Sequence, residues 1–272
     1  MRHRTLWIGA AIMLLVLLAI GLGPLITPFA PEEMDFLNVL TPPDTTHWLG
    51  TDSFGRDVMS RVLSGGRISF FASTAGVLSG AAIGVALGMS AAWRGRGYEA
   101  AVMAACDLLF AFPSFVLALF MMVVLGFGLH NVIIAIGLTY LPIFARLARN
   151  LTRSLMAENF VQAARLMGQP GGRILLVEIL PNILSTLLVQ ASIGIAFGIV
   201  MEAGLSFLGL GVQPPMPSLG VILADGREYF SRAPWVLTLT GLVVSVALLG
   251  LNLLGDGLRD LTDPRLRKAA GP

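Results

Sequence analysis

Six stretches of this chain run for 14 to 26 residues without one charged side chain: Leu6–Phe29, Ile68–Trp93, Leu108–Leu129, Val132–Ala145, Ile183–Met201 and Trp235–Leu254. A helix needs about 20 mostly apolar residues to cross a bilayer, because every backbone polar group in hydrocarbon must be paired within the segment. Five runs meet that length alone. The shortest, Val132–Ala145, meets it if the helix extends at both ends and Arg146 and Arg149 reach the headgroups. The expected fold is therefore all-α: a polytopic membrane protein with six transmembrane helices. Composition agrees: 56% of the 272 residues are hydrophobic and 12% charged, against about 45–50% and about 25% in soluble domains.

The first run follows Arg2 and Arg4 like a signal peptide. Its apolar core exceeds the roughly 7–15 residues of such a peptide and lacks a clear small-residue cleavage site. An uncleaved first span is expected. Lysine and arginine set the orientation. With the N-terminus in the cytoplasm, 13 of the 18 Lys and Arg residues fall in inner segments and 5 in outer ones. Both termini are expected on the cytoplasmic side. The net charge of +2 is too small to indicate nucleic acid. The single Cys106 excludes an internal disulfide, and the three histidines show no metal-ligand spacing.

Four segments are expected: residues 1–29 with the first helix; an extracytoplasmic loop, 30–67; a five-helix core, 68–254, with a cytoplasmic loop at 154–182; and a cytoplasmic tail, 255–272. In the outer loop, Val58, Met59, Val62 and Leu63 recur at helical spacing and predict a short amphipathic helix on the outer surface. The second outer segment, Gly211–Ala233, carries three prolines in QPPMPS and reads as a stiff loop. Within the second span, Gly76, Gly80, Gly84 and Gly88 lie four apart on one face, a surface for close helix packing. Asp107 and Glu202 sit at span ends. Carboxylates at such depth either line or gate a pathway, or cap a helix or bond a neighbouring one. Pro113 and Pro142 are expected to kink their spans.

The inner loop holds FVQAARLMGQPGGRILLVEILPN. Met156, Phe160, Ala163, Ala164 and Met167 form one apolar stripe; Glu158, Gln162, Arg165 and Gln169 take the other side. Gly168 and Pro170 end this helix, and a second short one, from about Gly172 to Leu180, leads into the fifth span. Ala163–Ala164 is a flat spot where another backbone can approach. The same periodicity suits a helix resting on the membrane and one docked in a partner.

Gln162-Ala163-Ala164, then Gly168 and Leu180-Pro181, resembles the EAA loop of ABC importer permeases, with Gln162 at the usual glutamate. His47-Trp48-Leu49-Gly50-Thr51-Asp52 with Gly55-Arg56-Asp57 and Ser60-Arg61, the run Leu205–Gly211, and Asn252 with Gly255–Asp260 and Asp263-Pro264-Arg265 resemble further signatures. Together they are similar to the C-type permease subunit of the dipeptide/oligopeptide/nickel family. Glu178 stands where that family often has histidine.

The resemblance implies half of a translocation pathway for short peptides, with a nickel or metal-chelate importer as the alternative. It implies a second, B-type permease subunit, two cytoplasmic ATP-binding subunits and an extracytoplasmic solute-binding protein around the chain, besides membrane lipid. It assigns ATPase coupling to Glu158, Gln162, Ala163, Ala164, Arg165 and Gly168. No cofactor is expected on this chain; ATP and Mg are used by the partners. Other classes fit less well. The only lysine, Lys268, is in no P-loop, and neither Gly-x-Ser-x-Gly nor His-Glu-x-x-His occurs. A passive channel would not need the cytoplasmic loop.

Overall fold

The computed structural model describes residues 2–262, and its regular structure there is helical. In chain order the helices are α1 (Arg2–Ile26), α2 (Val58–Arg94), α3 (Arg96–Phe110), α4 (Ser114–Leu125), α5 (Leu129–Leu155), α6 (Asn159–Leu166), α7 (Gly171–Arg173), α8 (Leu180–Phe207), α9 (Leu219–Glu228) and α10 (Pro234–Thr262). A π-helical stretch, Ile174–Ile179, joins α7 to α8, so Gly171–Phe207 is one continuous rod of 37 residues.

Five of these elements are long and apolar enough to cross a membrane, and the bent pair α3–α4 makes a sixth if it counts once. The packing decides that it does. A Cβ on Gly76 would meet Ile136, one on Gly84 would meet Ala145, and one on Gly88 would meet Ala145 and Arg149. Residue numbers rise together, so α2 and α5 run parallel. The chain between them must cross back once, and α3–α4 is that crossing. α1 is antiparallel to both neighbours: Gly23 meets Leu63 and Gly66 meets Ile20 on α2, while Gly9 meets Leu254 and Gly257 meets Leu6 on α10. Both ends of the described chain therefore lie at the end of the bundle that also carries α6.

Several sequence expectations change. The helix foreseen as a separate amphipathic piece after Gly55 is the first turns of α2, which runs unbroken from Val58 to Arg94. Asp57 caps it, its carboxylate accepting from the Ser60 amide at 2.7 Å. The third crossing begins at Arg96, not Leu108, and is not merely kinked: α3 and α4 meet at 89° across Ala111–Pro113. α5, by contrast, continues through Pro142. α10 runs to Thr262, past the expected start of the tail, and the Asp263-Pro264-Arg265 signature lies outside the described residues. The Gly211–Ala233 segment is not loop throughout, since it contains α9, capped by Ser218.

The core lies among α2, α5 and α8, where Ala72, Val77, Ile136, Phe144, Ile183 and Leu205 are buried. Large apolar side chains such as Trp7, Leu15, Phe120 and Leu242 are exposed on the outer helix faces. That is the pattern of a chain whose solvent is lipid.

Candidate functional site

The glycine row of α2 is met by the backbone of α5. A Cβ at Gly80, Gly84 or Gly88 would overlap the carbonyl oxygen of Gly137, Leu141 or Ala145 in turn, and at Gly76 it would lie 2.7 Å from Ile136 Cβ. Without side chains between them, the two helices are held by backbone-to-backbone dispersion contact. Both run to the end that bears α6.

There the chain turns after Leu155 and α6 begins. Glu158 is its N-cap residue; its carbonyl accepts the amides of Val161 and Gln162 at 3.1 and 3.2 Å, and its carboxylate makes no cap bond. Val161 and Ala164 point inward, at 0% and 2% exposure, in the same cluster as Ala148 of α5, Met89 of α2 and Ile174. Phe160, Gln162, Ala163, Arg165, Leu166 and Met167 are exposed. The predicted stripe is therefore split. Of the alanine pair, Ala164 faces this chain's own core and Ala163 faces outward with Phe160 and Met167; Val161, absent from the stripe, takes the inward position. The stripe put Ala163 and Ala164 together, but adjacent helical positions lie about 100° apart.

Gly168 stops the helix with φ +74°, a conformation that penalises any side chain. Its amide donates to the Arg165 carbonyl at 3.0 Å, and the Gln169 amide to that of Ala164 at 3.2 Å. The Arg165 guanidinium lies 4.3 Å above the Trp93 ring, at the end of α2. Gly171 is packed so close to the Trp93 indole that a Cβ would sit 2.5 Å from Nε1. The finger made by α6 and α7 is thus clamped to α2 and joined by short turns to α5 on one side and to the rod that becomes α8 on the other. Its outer surface keeps Leu166 89% and Met167 71% exposed.

Asp107 is exposed and ion-paired with Arg146 of α5, whose guanidinium also lies 4.3 Å over Phe110. Glu99, unmentioned by the sequence pattern, is more buried and receives Arg149 Nε at 2.5 Å and Arg153 Nη1 at 3.1 Å. These pairs tie α3 to α5 near the finger.

Glu202 is fully buried on α8. Its Oε1 accepts from Ser206 Oγ at 2.7 Å, and no hydrogen bond to Oε2 is made among the described residues. Ser206 Oγ accepts the Val212 amide, Ser69 Oγ the Leu219 amide and Ser218 Oγ the Val221 amide. The carboxylate thus faces the N-terminus of α9, where a negative charge is favoured by the helix dipole.

At the same end the loop 27–57 is fastened by charge. Asp52, fully buried, accepts from Arg56 Nε at 2.7 Å and pairs with Arg61; Asp225 of α9 receives Arg61 at 3.0 Å and Arg56 at 3.4 Å. His47 Nδ1 lies 3.0 Å from Asp57 Oδ1. Two guanidinium groups against two carboxylates balance, so this cluster fixes the loop to α2 and α9. Reading the loop by composition missed it, because Asp225 is far away in sequence.

A six-crossing helical bundle with a helical finger at one end is the architecture of a polytopic membrane protein. Comparison with known proteins agrees: residues 84–268 match the family described as binding-protein-dependent transport system inner membrane component, and residues 1–43 match the N-terminal transmembrane domain of oligopeptide transport permease C. The chain belongs to this family. It is 39% identical to a dipeptide transport system permease protein of Alkalihalophilus pseudofirmus, over 96% of this chain and 86% of that protein. A di/tripeptide transport system permease protein of Pseudomonas aeruginosa is 39% identical over 96% and 88%. A glutathione transport system permease protein of Pectobacterium atrosepticum is 39% identical over 98% and 88%. The chain is an ABC importer permease of the C type, a transport subunit rather than an enzyme, and such a system implies ATPase and solute-binding partners.

Proposed function

We propose that this chain forms half of the passage of a bacterial importer for short peptides and couples that passage to ATP hydrolysis through α6. The observation that carries this reading is the split face of the finger. Val161 and Ala164 anchor it inward, while Phe160, Ala163, Leu166 and Met167 stand outward on a short helix joined by short turns to α5 on one side and to the rod that becomes α8 on the other. An apolar outward face on a polar finger suits a groove in a partner. Glu158, Gln162 and Arg165 supply its polar rim, and Gly168 its end. The partners are a second, B-type permease, two ATP-binding subunits that consume ATP with Mg, and a solute-binding protein on the far side. The finger, the N-terminus and the end of α10 then lie in the cytoplasm of a cell whose inner membrane the chain spans. The lysine and arginine asymmetry supports that orientation. Peptides are favoured over nickel because the similar permeases named above are those of dipeptide, di/tripeptide and glutathione systems.

The test is co-purification. With the neighbouring permease and ATPases co-expressed, Ala163→Arg should insert normally but lose the ATPases, since it alters only the outward face. Retained ATPases with unimpaired peptide uptake would remove α6 from the coupling role.

A further inference from the structure

We infer that the hollow between α4, α5 and α8 is this chain's share of the solute passage, and that it handles peptides by contacts blind to side-chain charge. The inference rests on the permease reading above and names where in the chain the solute runs. The hollow holds about 250 Å³. Two aromatic rings stand over glycines of α8: a Cβ on Gly194 would lie 3.1 Å from Tyr140 Cε1, and one on Gly204 would lie 2.9 Å from Phe115 Cε2. Between those glycines, on the same helix, Phe197, Val200 and Met201 complete the wall. Gly194 and Gly204 are thus seats for Tyr140 and Phe115, ten residues apart on α8, with the hollow between them.

Two features set this hollow apart from a lipid-facing groove. It lies midway along α5, yet Ser114 and Tyr140 bring hydroxyls to its edge. No hydrogen bond joins either hydroxyl to another described residue. A hydroxyl facing hydrocarbon without a partner costs on the order of 1–3 kcal/mol, so water or a polar solute is the fitting neighbour. A second groove of about 300 Å³, between α2, α3 and α5 and edged by Leu87, Tyr98, Ala101, Cys106 and Leu109, is nearly all apolar and suits lipid; the Tyr98 hydroxyl there is already paired with Ser90 Oγ at 3.2 Å. Secondly, the wall carries no carboxylate, imidazole or guanidinium. Aromatic rings and a methionine adapt to many shapes, and hydroxyls can serve the amide groups that all peptides share. Such a wall lets varied side chains pass and holds none of them tightly.

Cysteine mapping on the full transporter in proteoliposomes tests this. With Cys106→Ala as background, Phe197→Cys and Val200→Cys are treated with a charged, water-borne methanethiosulfonate reagent during uptake of dialanine and trialanine. Leu14→Cys, exposed on α1, serves as the lipid-facing control. Expected are labelling at Phe197→Cys and Val200→Cys, none at Leu14→Cys, and loss of that labelling when trialanine is in excess. If uptake is normal but both positions react only with a lipid-soluble maleimide, the hollow faces lipid and the inference falls while the permease reading stands. Crosslinking of both positions to the second permease in every nucleotide state would equally overturn it, as a sealed subunit contact. If the unmodified transporter takes up neither peptide, the functional reading itself fails.

Discussion

Replacing Gly84 by alanine adds one methyl group where α2 and α5 touch. Its carbon would lie 3.0 Å from Ala145 N and 3.0 Å from Phe144 Cβ, and would overlap the Leu141 carbonyl. Ordinary carbon contacts are about 3.5–4.0 Å, and the obstacle is mostly backbone, which cannot rotate away. The helices must part by roughly half an ångström or more, which loosens the same contact at Gly80 and Gly88. Overpacking of this kind costs about 1–3 kcal/mol. Taking about 2 kcal/mol, the middle of that range, and allowing alanine up to about 1 kcal/mol of regained helix propensity, the net loss is about 1–2 kcal/mol. Gly21 on α1 is the control, since a Cβ there meets nothing within 4 Å; Gly21→Ala should be neutral or stabilising. The assay is thermal unfolding of the detergent-solubilised complex, followed by size-exclusion chromatography. A loss of about 1–2 kcal/mol lowers Tm on the order of 2–8 °C in a chain of this size. If Gly84→Ala melts at or above the wild-type temperature, the two backbones do not meet as described and the packing argument is wrong.

Glu202→Gln should keep the Ser206 bond and stay assembled, whereas Glu202→Leu should free α9 and expose the segment 208–233 to protease, with a loss of about 1–3 kcal/mol. Equal protease resistance of the two variants would show that α9 does not depend on this carboxylate. Arg61→Ala leaves Asp52 buried with only Arg56 beside it and should cost about 3–5 kcal/mol, read as a collapsed yield of folded complex; Arg227→Ala, a cation–π contact on Phe207, should cost far less. The amides of His47 and Thr46 donate to Asp44 and hold its carboxyl below the ordinary 3.8. Because the folded value is the lower one, the tie is complete above pH 3.8 and is lost as pH falls through the folded value. A spin label at Thr45→Cys should be more mobile in Asp44→Asn than with Asp44 intact at neutral pH, and that difference should close in acid.

The uncharged runs located the crossings because lipid imposes the same demand on every residue of a span. They misplaced α2 and α3 because charges at a span's end were counted as its limit. Arg61 sits inside α2, neutralised by Asp52 and Asp225, and Arg67 donates through Nε to the Ile20 carbonyl at 2.5 Å. Glu99 lies inside α3 because Arg149 and Arg153 come to it from α5. Such pairings join residues far apart in sequence and leave no local pattern. α9 escaped because its ten residues follow a proline cluster and have no long apolar run. The four-residue glycine spacing was legible; that its partner is α5 of the same chain was not, since small residues record a close approach without saying who approaches. In the finger, the helix and its Gly168 end were legible from periodicity, but a stripe counted on paper did not separate Ala163 from Ala164.

The rod that starts at Gly171 has a length that matters. At 1.5 Å per residue, its 37 residues span about 55 Å. Its base is clamped beside Trp93, and its other end carries Glu202 under α9. Tilted as a stiff lever about that base by about 5°, the rod displaces its tip by roughly 5 Å, close to one helical turn. A tilt too small to break the contacts with Trp93 would then amount to a full step at the far end of the rod. The ratio of those two displacements is set by the length of α8 and by the stiffness of the π-helical stretch at its foot.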